Sequence, residues 1–288
     1  KVYGVLVGKK PIVFTNNDSA YETAIEFKKN NINPIVLDSR QDSNSEIIKE
    51  AKSLGIDIKF SHVVVAAKGY KKVKSCDIAE ISEDKQNLNQ IKNIECDCIC
   101  VSGFWTPTIH LASQSGGKTK FKEEIDAFVP DKSKQKEVTL GSANGVFTLE
   151  ETLKTSFDKG FELSKEITNN NNSQQIPKVS EKKHSKHDKF WCVPLPKGKK
   201  YKRFLDFQND VAVSDIELAI REGYRSIEHV KRYTTLGMAT DQGKTSNLNG
   251  LQLVSNIENK VVPAVGHTTF RPPYTPISIG AIVGREIG

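Results

Sequence analysis

From Lys10 to about Leu163, short apolar runs alternate with stretches whose apolar positions recur three or four residues apart. That alternation of strands with amphipathic helices builds a parallel sheet with helices packed on it. Pro11-Ile12-Val13-Phe14-Thr15 reads as a buried strand. Asn16-Asn17-Asp18-Ser19 then supplies turn and capping chemistry before a helix running to about Lys29, with Ala20, Ala24 and Phe27 on one face. Ile35-Val36-Leu37-Asp38 is the next strand. A helix from Ser45 to Leu54 ends at Gly55, and residues 56–60 and 63–67 follow as strands, completing a βαβ unit. Cys96-Asp97-Cys98-Ile99-Cys100-Val101 predicts a further strand. Val138-Thr139-Leu140 predicts another, leading into the small-residue turn Gly141-Ser142-Ala143-Asn144-Gly145 and a helix from about Thr148.

Residues 168–189 break this rhythm with asparagine, serine, glutamine, lysine and two histidines, too polar to bury, so they read as a flexible linker. Beyond it the texture changes. Arg203-Phe204-Leu205-Asp206-Phe207 predicts a short strand, and Ser214-Asp215-Ile216-Glu217 is an S-x-x-E capping box opening one helix to about Arg232. Residues 234–288 are rich in glycine, threonine, asparagine and proline, with no internal repeat. The expected fold class is α/β: a Rossmann-like, pyridine-nucleotide-reductase-type βαβ domain followed by a small mixed α+β connector domain.

The 288 residues, 37% of them hydrophobic, suit a packed core, and no apolar run approaches the ~20 residues of a bilayer span. The net charge of +7 is spread along the chain. Its basic patches, residues 71–74 and 197–203, are accompanied only by Tyr70 and Tyr201, too few aromatics to stack a run of bases, which speaks against nucleic acid as a partner. Five cysteines without paired spacing and no signal-peptide pattern point to a reducing compartment, the cytoplasm.

Thr15-Asn16-Asn17-Asp18-Ser19-Ala20 stands where a dinucleotide fold carries its glycine-rich fingerprint, and Asp38 stands where a ribose-binding acid belongs. The glycines are missing, and Asp18 would repel phosphate. The turn is therefore either a modified nucleotide site or a βαβ module that kept its fold without the ligand. Gly141 to Gly145 presents free backbone N–H groups to a ligand, or is an ordinary tight turn. Cys96, Cys98 and Cys100 alternate, which on a strand places all three side chains on one face and cannot curl them around a metal ion. His184 and His187 lie in the lysine-rich linker, where a solvated segment is expected rather than a metal site. The polar run 233–247, with Lys244 among hydroxyls and two glycines, is a phosphate cradle or a self-bonded loop; its glycine spacing is one residue too long for a P-loop.

Several stretches carry a family resemblance. Phe204-Leu205-Asp206-Phe207-Gln208-Asn209-Asp210-Val211, the run from Glu228 through Asn247, and Thr268-Thr269-Phe270-Arg271-Pro272-Pro273-Tyr274-Thr275-Pro276 resemble the alpha subunits of heterotetrameric sarcosine oxidases. So do Thr15-Asn16-Asn17-Asp18-Ser19-Ala20-Tyr21, Ser102-Gly103-Phe104-Trp105-Thr106-Pro107-Thr108 and Ser113-Gln114-Ser115-Gly116-Gly117-Lys118. The resemblance implies a flavin-dependent oxidase that demethylates sarcosine to glycine, forms peroxide, and passes a one-carbon unit to tetrahydrofolate.

It further implies an NAD held by the alpha subunit, FMN at the interface with the beta subunit, FAD within the beta subunit, and gamma and delta subunits as further partners. Tetrahydrofolate would bind a domain following Gly288, and the main fingerprint would precede Lys1, so the chain reads as an interior segment inactive alone. The implied layout is an inserted reductase-like module over 1–101, the returning part of the nucleotide domain over 102–167, the linker 168–189, and a connector over 190–288. Gly141, Ser142, Phe147 and Leu149 match the late turn that closes over a cofactor pyrophosphate. Thr234, Thr235, Lys244, Thr245 and Ser246 lie where related subunits carry cluster-binding cysteines, and here become candidates for the FMN phosphate or the beta subunit. The competing expectations are an alpha subunit of a related amino-acid or opine dehydrogenase and a stand-alone nucleotide-binding module.

Overall fold

The computed structural model describes residues 3–103, 105–168, 176, 178–179, 188–199, 201–272, 275 and 277–283. Most of the expected linker, with His184 and His187, lies outside the described residues. The chain divides into two compact units, Lys1–Phe104 with Lys182–Tyr201, and Trp105–Glu181 with Lys202–Gly288.

In the first unit the elements run β1 (Pro11–Thr15), α1 (Ala20–Lys29), β2 (Ile35–Asp38), α2 (Glu46–Ser53), β3 (Asp57–Phe60), β4 (His62–Gly69), β5 (Val73–Glu80), β6 (Lys92–Glu95) and β7 (Cys98–Ser102). Strands β3, β2, β1 and β7 form, in that order, an all-parallel sheet. Such a sheet is covered on both faces, which is why its central strands β1 and β2 are apolar up to their last residue. Val13 and Val36 pack against Ala20, Tyr21 and Ala24 of α1 and Ile47, Ile48 and Ala51 of α2. Ile12 and Leu37 point the other way and meet Cys76 and Ile78. Those belong to the antiparallel meander β4-β5-β6, which takes the place of a crossover helix between β3 and β7. Each fully buried Ile or Leu of this sandwich contributes roughly 1.5–3 kcal/mol.

In the second unit the elements are α3 (His110–Gln114), β8 (Thr119–Lys122), β9 (Ala127–Pro130), a 3-10 turn (Gly141–Asn144), α4 (Leu149–Thr168), β10 (Phe204–Asp206), β11 (Val211–Ala212), α5 (Val213–Arg221), α6 (Ile227–Thr234), α7 (Asn247–Glu258), α8 (Val262–Val265) and α9 (Ile279–Val283). Its core gathers Ile109, Phe128, Ile216, Val230, Leu236, Leu251, Val254 and Phe270. The α/β class with a parallel sheet agrees with the sequence.

Four local expectations are corrected. The single helix to Arg232 is two, α5 and α6, separated at Glu222-Gly223-Tyr224 so that Ile216, Ile220, Ile227 and Val230 reach one core. The capping box is shifted by two residues: the helix begins at Val213, and the Asp215 carboxylate accepts the Ala212 N–H at 2.8 Å, leaving Ser214 inside the first turn. Residues 138–140 form no strand, because among the described residues no neighbouring strand offers them a ladder. The three cysteines do not share a face. Cys96 precedes β7 and packs with Cys76 on the meander side, whereas Cys100 pairs with Val13 and joins the helix side.

Candidate functional site

Open α/β sheets take nucleotides outside the carboxyl ends of their strands, where the strand order reverses. The first unit fills that place with its own side chains. Asn16, Asn17 and Asp18 connect β1 to α1 and are buried, at 5%, 5% and 1% exposure. The Asn17 side-chain carbonyl accepts the Ser19 N–H at 2.9 Å and the Ser19 hydroxyl at 2.6 Å, taking up donors that a phosphate would otherwise meet. Asn17 Nδ2 donates to the carbonyl of Gly103, just past β7, and so bridges the point where the order reverses.

Asp38, at the end of β2, is equally committed. Arg40 Nε and Nη2 donate to its carboxylate at 3.0 and 2.7 Å, Arg40 Nη1 donates to Asp18 at 2.7 Å, and the Tyr21 hydroxyl donates to Asp38 at 2.8 Å. Burial, reinforced by the Asp38 charge, pushes the Tyr21 phenol far above its ordinary range. Burial opposes the Arg40 charge, but Asp38 and Asp18 outweigh it, and the guanidinium is held protonated. Asn16 is clasped by Asp188, whose N–H donates to the Asn16 carbonyl at 3.0 Å while Asn16 Nδ2 donates to the Asp188 carbonyl at 2.9 Å. Lys85 pairs with the Asp188 carboxylate. With no glycine in the turn and the strand-end acid already bound, these residues do not fit a dinucleotide.

The second unit holds the other candidates. Gly141 opens a 3-10 turn closed by Gly145, whose N–H donates to Ser142 O at 3.2 Å. Gly145 has φ +75°, and a Cβ there would lie 2.6 Å from Ile125 Cδ1 and 3.0 Å from Val129 Cγ1, so the turn is pressed onto β9. Gly141 is buried, whereas Ser142, Phe147 and Leu149 stand exposed around the start of α4. A hydroxyl and two apolar side chains at a helix N-terminus suit a nucleotide's polar and flat parts, although Glu150 and Glu151 in the first turn place negative charge nearby.

The loop between α6 and α7 is organised from within. Thr234 Oγ donates to the Val230 carbonyl at 2.8 Å, Thr235 Oγ to the Thr234 carbonyl at 2.6 Å, and Thr245 Oγ to the Asp241 carboxylate at 2.8 Å. Ser246 is fully buried at the N-cap of α7. Gly237, at φ +67°, leaves room for the Asn247 carboxamide, which a Cβ would strike. Lys244 lines a cavity of about 40 Å³ together with His110, Phe128, Asn247, His267 and Phe270. His110 Nε2–H donates to the Gln242 carbonyl at 3.2 Å, and its ring lies 3.8 Å from that of Phe270. Burial holds this imidazole below its usual range, with Lys244 acting in the same direction and the Gln242 carbonyl against it. Of the five residues proposed here from sequence, Lys244 alone lines the cavity; three threonine hydroxyls turn to their own loop and helix. His110 and His267, like Arg40 and Asp188 in the first unit, carry no signal in the sequence, because only the fold gives them neighbours; Asn247 and Tyr21 lie in stretches the sequence singles out, without a role of their own.

Among the described residues no helix is long and apolar enough to cross a membrane. Residues 200–285 match the family model described as the sarcosine oxidase A3 domain. The chain is similar to sarcosine oxidase subunit alpha of Rhizobium meliloti (strain 1021), with 34% identity over 288 residues, covering 99% of this chain and 28% of that relative. It is 32% identical over 293 residues to the sarcosine oxidase subunit alpha of Corynebacterium sp. (strain P-1), covering 99% of this chain and 30% of the relative. This chain therefore spans less than a third of the length of these curated relatives. Among solved structures it resembles an L-proline dehydrogenase from P. horikoshii, with TM-score 0.61 and 20% identity, covering 99% of this chain and 51% of that one. That likeness is one of fold.

Proposed function

From a similarity to sarcosine oxidase alpha subunits that runs through both units, we propose that this chain is a segment of the alpha subunit of a heterotetrameric sarcosine oxidase. The observation that carries the reading is 34% identity sustained over 288 residues. The whole enzyme would oxidatively demethylate sarcosine to glycine, reduce oxygen to peroxide, and deliver the one-carbon unit to tetrahydrofolate. Beta, gamma and delta subunits would complete it in the cytoplasm, with FAD in the beta subunit and FMN at the alpha–beta contact.

Within this reading, residues 1–101 are an inserted module, 102–167 the returning part of the main nucleotide domain, 168–189 a linker, and 190–288 a connector toward a folate-binding domain. Gly141, Ser142, Phe147 and Leu149 would hold NAD, Ser142 by hydrogen bonding and the apolar pair by packing. When bound, NAD would act structurally. Supporting this is the exposure of Ser142, Phe147 and Leu149 beside the start of α4. Thr234, Thr235, Lys244, Thr245 and Ser246 would form the loop on the FMN and beta-subunit side, with Lys244 the strongest member because it lines a cavity, while the hydroxyls of Thr234, Thr235 and Thr245 serve their own backbone and Asp241, and Ser246 is fully buried.

The test is co-expression of the full-length gene with its genomic neighbours and an assay of sarcosine-dependent peroxide release. Peroxide from sarcosine with the complex, and none with the 288-residue chain alone, is the expected result. Turnover of another N-methyl or cyclic amino acid with none of sarcosine would instead identify a related amino-acid dehydrogenase.

A further inference from the structure

Three separate closures meet at the carboxyl ends of β1, β2 and β7. The turn after β1 is capped by Asn17, which also ties it to Gly103 across the point where the strand order reverses. The acid that ends β2 is neutralised by Arg40, a residue two positions further on, which reaches Asp18 in the turn as well. Asp188 then lies over the turn in a two-bond clasp with Asn16, anchored by Lys85. Together these occupy the three places a dinucleotide would need: the close-approach turn, the crevice, and the ribose-binding carboxylate.

We propose that the βαβ unit spanning β1 to β7 is a self-occupied nucleotide fold, in which Arg40, Asn17 and Asp188 stand where a ligand would, so that it takes up no NAD. The charge balance agrees with the geometry. Asp18 and Asp38 both bond to Arg40, so a pyrophosphate arriving here would meet two carboxylates and could take the guanidinium only by displacing them. Arg40 is 7% exposed and Asp38 fully buried, so entry of a ligand would require breaking buried charge-assisted bonds rather than shifting a surface side chain. The inference goes beyond the proposed function and holds whether or not NAD binds at the Gly141 turn.

The experiment uses the full-length polypeptide in its complex and a photoreactive azido analogue of NAD, with unmodified NAD as competitor and cross-linked peptides mapped by mass spectrometry. Peptides covering residues 11–103 and 188–199 should carry no cross-link that NAD protects. A protectable cross-link within residues 15–40 would overturn the proposal. A cross-link confined to peptides around Gly141 supports both readings. No protectable cross-link anywhere supports the self-occupied crevice and removes NAD from the proposed function. Arg40→Lys gives an independent measure: NAD per complex should stay unchanged in the folded variant, and a loss of half or more with an unaltered circular dichroism spectrum would show that Arg40 holds ligand. If Arg40→Met also folds, it should behave in the same way.

Discussion

Asp206, the last residue of β10, accepts the backbone N–H of Gly237 at 2.8 Å, both groups being buried. The same carboxylate's other oxygen accepts the N–H groups of Gln208 and Asn209 at 2.9 and 3.2 Å. One side chain thus fixes both the turn after β10 and the start of the loop that leads to α7.

Removing that anchor should be costly. Asp206→Ala leaves the Gly237 N–H buried without an acceptor, so a loss of about 1–3 kcal/mol is expected in urea unfolding. Gly237→Ala should destabilise comparably, since it combines a positive φ with a collision against Asn247. Unchanged midpoints in both variants would mean that the loop is not held by these contacts.

His110 makes stability depend on pH. Burial lowers its folded pKa, so below about pH 6.5 the unfolded chain binds a proton that the folded chain resists. Stability contributed here is therefore complete above that pH and declines as the solution is acidified toward the folded pKa. His110→Phe should flatten the fall in denaturation midpoint between pH 7 and 5. An identical slope in the variant would remove His110 from the explanation.

The thiols of the first unit offer a chemical readout. Burial, with Cys96 and Asp77 adding to it, pushes Cys76 up to about 12, and burial beside Cys98 does the same for Cys100. Since only the thiolate reacts, alkylation of these two by iodoacetamide at pH 8 should be at least ~10-fold slower in the native protein than in urea. Equal rates would show that this sandwich opens readily.

Much of the first unit was legible in the chain because its central strands are buried on both faces and its helices carry clear periodicity: Pro11–Thr15, Ala20–Lys29 and Ile35–Asp38 fall where the pattern puts them. The meander strands β5 and β6 escaped notice. Residues such as Lys74, Ser75 and Asn93 keep one edge polar and leave no clean alternation. Helix α7 was equally hidden, its asparagines and glycine being poor helix formers that hold the helix only because Leu251 and Val254 find the core.

What the sequence determined by itself was the rhythm of strand and helix, the absence of fingerprint glycines between Thr15 and Ala20, and the likeness to one family of alpha subunits. These are local or collinear properties, decided by spacing and residue type. Which charges meet was decided only by tertiary structure. Asp18, Asp38 and Arg40 come together because parallel pairing sets the ends of β1 and β2 side by side, and Asp188, 172 positions from Asn16, reaches it because the chain returns to the first unit. Long-range contacts of that kind have no period along the chain, so only the fold reveals whether a crevice is open or already filled.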